Sequence, residues 1–83
     1  MRWADALAAS GDVKCAVRPL KDYGNRTEPN VLLIDPRFNK ETPKAFRATE
    51  NYAWGRVPLR KADDYDDWTP ATIRQAATPW ETT

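Results

Sequence analysis

The stretch Tyr52-Ala53-Trp54-Gly55-Arg56-Val57-Pro58, continued by Leu59-Arg60-Lys61-Ala62-Asp63-Asp64-Tyr65-Asp66-Asp67-Trp68, decides how this chain is read. Its first half has the make-up of a strand. In an extended backbone side chains alternate, so Tyr52, Trp54 and Arg56 share one face. Its second half is a short polar run closed by a tryptophan. Four of the nine aromatic residues and four of the twelve acidic ones fall here. Such a segment either anchors a small core or grips a ligand, and both readings are carried forward.

Eighty-three residues make one domain, 1–83, with 79–83 as an extended tail. A chain this short buries a small fraction of its surface and gains from staples or partners. The staples are missing: Cys15 is the one cysteine and there is no histidine, which excludes an internal disulfide and a Cys/His zinc site. Oligomerisation is the remaining way to bury more surface. Four Val, five Leu and two Ile are few, but there are four Trp, and each aromatic ring buries roughly 150–250 Å². The expected core is small and aromatic, with Cys15 as a small buried hydrophobe. The net charge of +1 argues against a dedicated duplex nucleic-acid binder. The longest apolar run, Val31 to Ile34, has four residues, too few for a membrane span or a secretory core. With a mean hydropathy of −0.78 and a single cysteine, which suits a reducing compartment, the expectation is a cytoplasmic protein without membrane contact.

Outward from the opening stretch, Trp3 to Ser10 reads as a short helix. Trp3, Ala6, Leu7 and Ser10 fall at i, i+3, i+4 and i+7, Asp5 sits in the first turn, and Gly11 supplies the stop. Asp12 to Arg18 reads as a strand with Val13, Cys15 and Val17 on one face and Lys14, Ala16 and Arg18 on the other, ended by Pro19. Tyr23-Gly24-Asn25 is turn chemistry. Val31 to Ile34 reads as a strand buried on both faces. Phe46 to Thr49 resumes alternation and either runs on into Tyr52–Val57 or breaks into a hairpin. Thr69 and Pro70 suit the N-cap and first position of a last helix through Ala77, stopped by Pro79. The predicted fold class is α+β: a short N-terminal helix packed on a small antiparallel sheet of three to four strands, then a short C-terminal helix.

For chemistry, the absence of histidine removes the commonest base and nucleophile partner. The three glycines, Gly11, Gly24 and Gly55, are too scattered for a phosphate loop. Asp63, Asp64, Asp66 and Asp67 lack the glycine and distal glutamate of a calcium loop and read as a solvated turn or cap. No metal and no cofactor are expected, and the chain does not read as an enzyme. Arg56, Arg60 and Lys61 flank Pro58 beside Tyr52 and Trp54, a combination that suits stacking of a base next to phosphate-binding cations. The alternative is that the rings are core anchors and the cations surface charges.

The two ends carry a resemblance. Met1, Trp3, Ala6, Leu7, Gly11, Val17 and Arg18 follow the opening, and Trp54, Pro58, Asp63, Asp67 and Trp68 the closing, of a family of short phage proteins that includes anti-Thoeris proteins. About two-thirds of the chain is covered. That family's members are sponges that sequester a cyclic ADP-ribose-type immune signal, and some relatives hold cyclic dinucleotides. They are small twisted sheets with an N-terminal helix, assembled as dimers or tetramers with ligands at subunit interfaces. The resemblance implies a non-catalytic, homo-oligomeric anti-defence protein of the infected host's cytoplasm. Together with the residue chemistry it selects Arg18, Tyr23, Tyr52, Trp54, Arg56, Asp63 and Asp67 as ligand-binding candidates. Where family members carry a Trp after Val-x-Arg, this chain has Leu20 and Lys21, with Tyr23 the nearest ring. Where they end in a strand after Asp-Trp, Thr69-Pro70 reads as a helix start. The alternative functions are inhibition of a host protein through Asp64, Trp68 and Trp80, or a minor virion or adaptor component.

Overall fold

A computed structural model describes residues 1–11, 14–19, 27–34, 42–50 and 52–81, with backbone alone at 52 and 53. The chain folds as α1 (Trp3–Ala9), β1 (Cys15–Val17), β2 (Val31–Leu33), β3 (Lys44–Thr49), β4 (Tyr52–Val57), a 3-10 helix Leu59–Asp64, β5 (Thr69–Ala71), α2 (Ile73–Ala77) and a 3-10 turn Pro79–Glu81. The class is α+β, as the patterning predicts. The sheet has five strands rather than three to four, in the order β4-β3-β2-β1-β5, every pair antiparallel. The stretch from Phe46 to Val57 resolves as a hairpin, with a bulge between Arg47 and Thr49.

The fifth strand corrects the reading of Thr69-Pro70 as a helix start. Pro70 lies opposite Ala16 on the edge of the sheet. Arg18 N–H donates to Asn30 O and Ile34 N–H to Lys14 O, so the even residues of β1 turn their backbone groups toward β2. Pro70 therefore stands opposite a residue that asks it for no N–H, which is where a sheet tolerates proline. The helix begins three residues later. Thr72 accepts from Gln75 N–H at 3.1 Å and Thr72 N–H donates to the Gln75 side chain at 2.9 Å, a complete capping box. The expected tail is likewise partly built in: Pro79 is buried and Trp80 half-buried in the final 3-10 turn.

Both faces of the sheet are covered, and strand alternation divides the core in two. Ala16, Leu32, Ala45 and Val57 pack with Ala6 and Leu7 of α1, Ala62 of the 3-10 helix and Trp68. Cys15, Val17, Val31 and Ala48 pack on the other side with Ala71 and with Ala76 of α2. β2 is buried on both sides at Val31 and Leu32, as its unbroken apolar run demands. β1 begins at Cys15, because Lys14 holds a left-handed φ of 50° that ends regular extension. Val13 lies outside the described residues. The expected polar face of β1 is absent: Ala16 is buried under α1 and Arg18 is turned inward.

A side chain completes the centre of the sheet. Asn30 is fully buried; its amide nitrogen donates to Ala48 O at 2.8 Å and its amide oxygen accepts from Ala48 N–H at 2.8 Å. Its own N–H donates to Phe46 O and its C=O accepts from Arg18 N–H. The primary amide thus pairs with β3 where the backbone of β2 no longer reaches.

Candidate functional site

The candidate residues divide between two places, and the topology explains the division. β1, which delivers Arg18, and β4, which carries Trp54 and Arg56, are separated by β2 and β3. Three strand spacings amount to about 14 Å.

Arg18 is 3% exposed. Its Nε and Nη2 donate to the two carboxylate oxygens of Asp67, Nη2 to Oδ2 at 3.1 Å. Nη1 donates to Glu28 Oε1 at 3.1 Å and to Pro29 O at 2.8 Å. The guanidinium carbon lies 3.7 Å from the ring centre of Tyr65 and 5.7 Å from that of Trp68. A buried cation needs such a cage, since an unpaired one would ionise at great cost. The planar fork, which a lysine lacks, fits the carboxylate in two-pronged fashion. Arg18 and Asp67 are therefore committed to each other and to the fold. Beside them, burial and then the Glu28 carboxylate raise the Tyr65 phenol above its ordinary range, against the pull of Arg18.

Asp63 is also engaged: the Trp3 indole N–H donates to its Oδ1 at 2.6 Å, tying α1 to the 3-10 helix. Trp68 is 1% exposed, with its indole N–H donated to Ala62 O at 3.2 Å. That corrects its assignment to a partner surface, because a ring sealed in the core offers nothing to a partner. Asp64 is exposed and Trp80 is half-buried. Tyr23 and the ring of Tyr52 lie outside the described residues.

The exposed chemistry collects at the β3–β4 edge. Trp54 is 38% exposed and meets Phe46 edge to face, ring centres 5.6 Å apart. Arg56, opposite Phe46 in the register, is exposed on the same side of the sheet. At the end of these strands lies an open groove of about 350 Å³, walled among the described residues by Pro43, Pro58 and Leu59 and flanked by Lys44 and Arg56. The sequence pointed to Trp54 and Arg56; Lys44 joins them because the hairpin folds Pro43-Lys44 back beside Val57-Pro58. The only cue for that was the antiparallel reading of the Phe46 to Val57 stretch. Two cations beside an exposed indole can hold an anion and a flat ring together.

Among the described residues no group of three or more acidic or cysteine side chains is placed to hold a metal ion, and no helix is long and apolar enough to cross a membrane. Comparisons with protein-family models, curated proteins and solved structures find no match to this chain.

Proposed function

We propose that this protein acts by binding, and that it sequesters a nucleotide-type small molecule at the β3–β4 edge, with phosphate groups against Lys44 and Arg56 and a base on Trp54. The observation that carries the reading is the exposed Trp54 ring on the same side of the sheet as Arg56, beside a groove flanked by Arg56 and Lys44. Stacking on an aromatic face tolerates any base, while guanidinium and ammonium groups take the phosphates. The resemblance to phage sponges supports a cyclic nucleotide immune signal as the ligand. A strand directly after Asp67-Trp68, which Thr69–Ala71 provides, is the arrangement found in the family resembled. Of the candidates whose side chains are described, Trp54 and Arg56 remain for the ligand, and Lys44 joins them. Arg18, Asp63 and Asp67 shape the scaffold.

The test is thermal unfolding with cyclic ADP-ribose and with cyclic dinucleotides at micromolar concentration. A ligand that binds only the folded state at a hundred times its Kd adds about 2.7 kcal/mol. Trp54→Ala and Arg56→Ala should abolish the shift and Asp67→Asn should keep it. If no nucleotide raises the melting temperature, and denatured protein releases no small molecule to mass spectrometry, the reading fails.

A further inference from the structure

β4 does not run regularly past Trp54. From Arg47 to Thr49 β3 takes two steps, while from Gly55 back to Tyr52 β4 takes three, so Ala53 and Trp54 stand together opposite Ala48. A bulge of this kind bends its strand and re-aims the side chains beside it. Its place follows from Asn30. The Asn30 amide takes both backbone groups of Ala48, so Ala48 asks nothing of β4 and the extra residue leaves no group of Ala48 unpaired.

The indole at the bulge leans on a fixed neighbour. Its centre lies 5.6 Å from that of Phe46 and the two planes are inclined by 60°, within the separations of about 4.5–7 Å at which an aromatic edge meets a face. Phe46 belongs to the scaffold. Val31 stands opposite it on β2, its carbonyl accepts from Asn30 N–H, and its half-buried side chain packs on the core that α2 covers. An exposed side chain without such a neighbour moves among rotamers, and ordering it on binding costs affinity.

We propose that Phe46 is the positioning residue of this site: it holds the Trp54 indole at one angle before any ligand arrives, and so sets the place of a stacked base relative to the phosphate held by Arg56. The proposal rests on the binding reading above and adds the residue that prepares the ring. Arg56 stands directly opposite Phe46 in the register, so one core side chain is next to both the ring and the cation. Phe46 needs no contact with the ligand to do this. An edge-to-face pair biases a held ring over a free one by about two- to tenfold, and that is the factor by which affinity should depend on Phe46.

Two substitutions separate positioning from packing. Phe46→Leu keeps an apolar side chain against Val31 and removes the ring, whereas Phe46→Tyr keeps the ring. Nitrogen-15 relaxation of the Trp54 indole N–H, identified by its disappearance in Trp54→Phe, reads the ring without any ligand. The indole should be rigid on the picosecond-to-nanosecond timescale in the unmodified protein and in Phe46→Tyr, and mobile in Phe46→Leu. Calorimetric affinity for cyclic ADP-ribose should fall about two- to tenfold in Phe46→Leu and return in Phe46→Tyr. An indole as rigid in Phe46→Leu as in the unmodified protein would overturn the proposal, and so would equal affinity of those two proteins for cyclic ADP-ribose. If the unmodified protein binds no nucleotide, the function proposed above fails, while the relaxation measurement still decides the role of Phe46.

Discussion

Arg18 and Asp67, forty-nine positions apart, are joined by a two-pronged ion pair that fastens the end of β1 to the segment leading into β5. Its halves are unequal, because the arginine side chain is 4% exposed and the aspartate 48%. Asp67→Asn should therefore lower stability by about 1 kcal/mol, since solvent screens the exposed partner and an amide oxygen still accepts. Arg18→Ala should cost about 3–5 kcal/mol, because Glu28 would keep a half-buried charge without its cation and Pro29 O would lose its donor. Arg18→Lys should recover only part of that loss, lacking the fork. Urea unfolding of the three variants provides the ranking.

Asn30 is the second point of weakness. Asn30→Ala removes the partners of both backbone groups of Ala48 in the core. Unsatisfied buried groups cost about 1–3 kcal/mol each, so a loss of about 3 kcal/mol is expected. Asn30→Asp should be as damaging, because a carboxylate cannot donate to Ala48 O. Amide hydrogen exchange at Ala48 should accelerate in both variants.

The tryptophans should separate by mutation. Trp68→Ala empties a fully buried site and should cost about 3–5 kcal/mol. Trp54, at 38% exposure, has less burial to lose, so Trp54→Ala should cost about 1–2 kcal/mol by chemical denaturation. A large loss at Trp54 would mean that the ring belongs to the core and not to a binding surface.

High pH should weaken the fold. Burial pushes the Cys15 thiol above its ordinary 9.0, and the Tyr65 phenol is raised above 10.0. For a group whose folded pKa exceeds its unfolded one, the stability it contributes is complete below the unfolded value and lost as pH rises through the folded one. Denaturation midpoints should thus show no loss from these two groups up to about pH 9 and a decline above it. Cys15→Ala should reduce the decline, and thiol alkylation of the folded protein should be slow at neutral pH.

The elements that the sequence announced are those with a full period of apolar residues. Trp3, Ala6 and Leu7 gave α1, and Val31-Leu32-Leu33 gave β2. β5 was hidden because Thr-Pro reads equally well as a helix start, and only the register shows that Pro70 faces a position needing no donor. The true start was nevertheless written in Thr72-Ile73-Arg74-Gln75, whose spacing is that of a capping box. The candidate site was half legible. Trp54 and Arg56 stood out by alternation along one strand. Arg18 and Asp67 looked equally exposed on paper, because charge alone does not reveal that two residues far apart in sequence neutralise each other inside the fold.

The place of β1 in the sheet has a consequence for how the chain is made. One neighbour of β1 is β2, but the other is β5, and the start of the chain is tied down late as well, since Met1 O accepts from Trp68 N–H and the Met1 nitrogen donates to Asp66 O. A nascent chain that has left the ribosome only through β4 owns a helix and four strands whose inner member still shows an open side. Such an intermediate exposes unpaired backbone at β1 as well as at β4, and emergence of Thr69–Ala71 is the step that covers β1 and closes that window for misassociation.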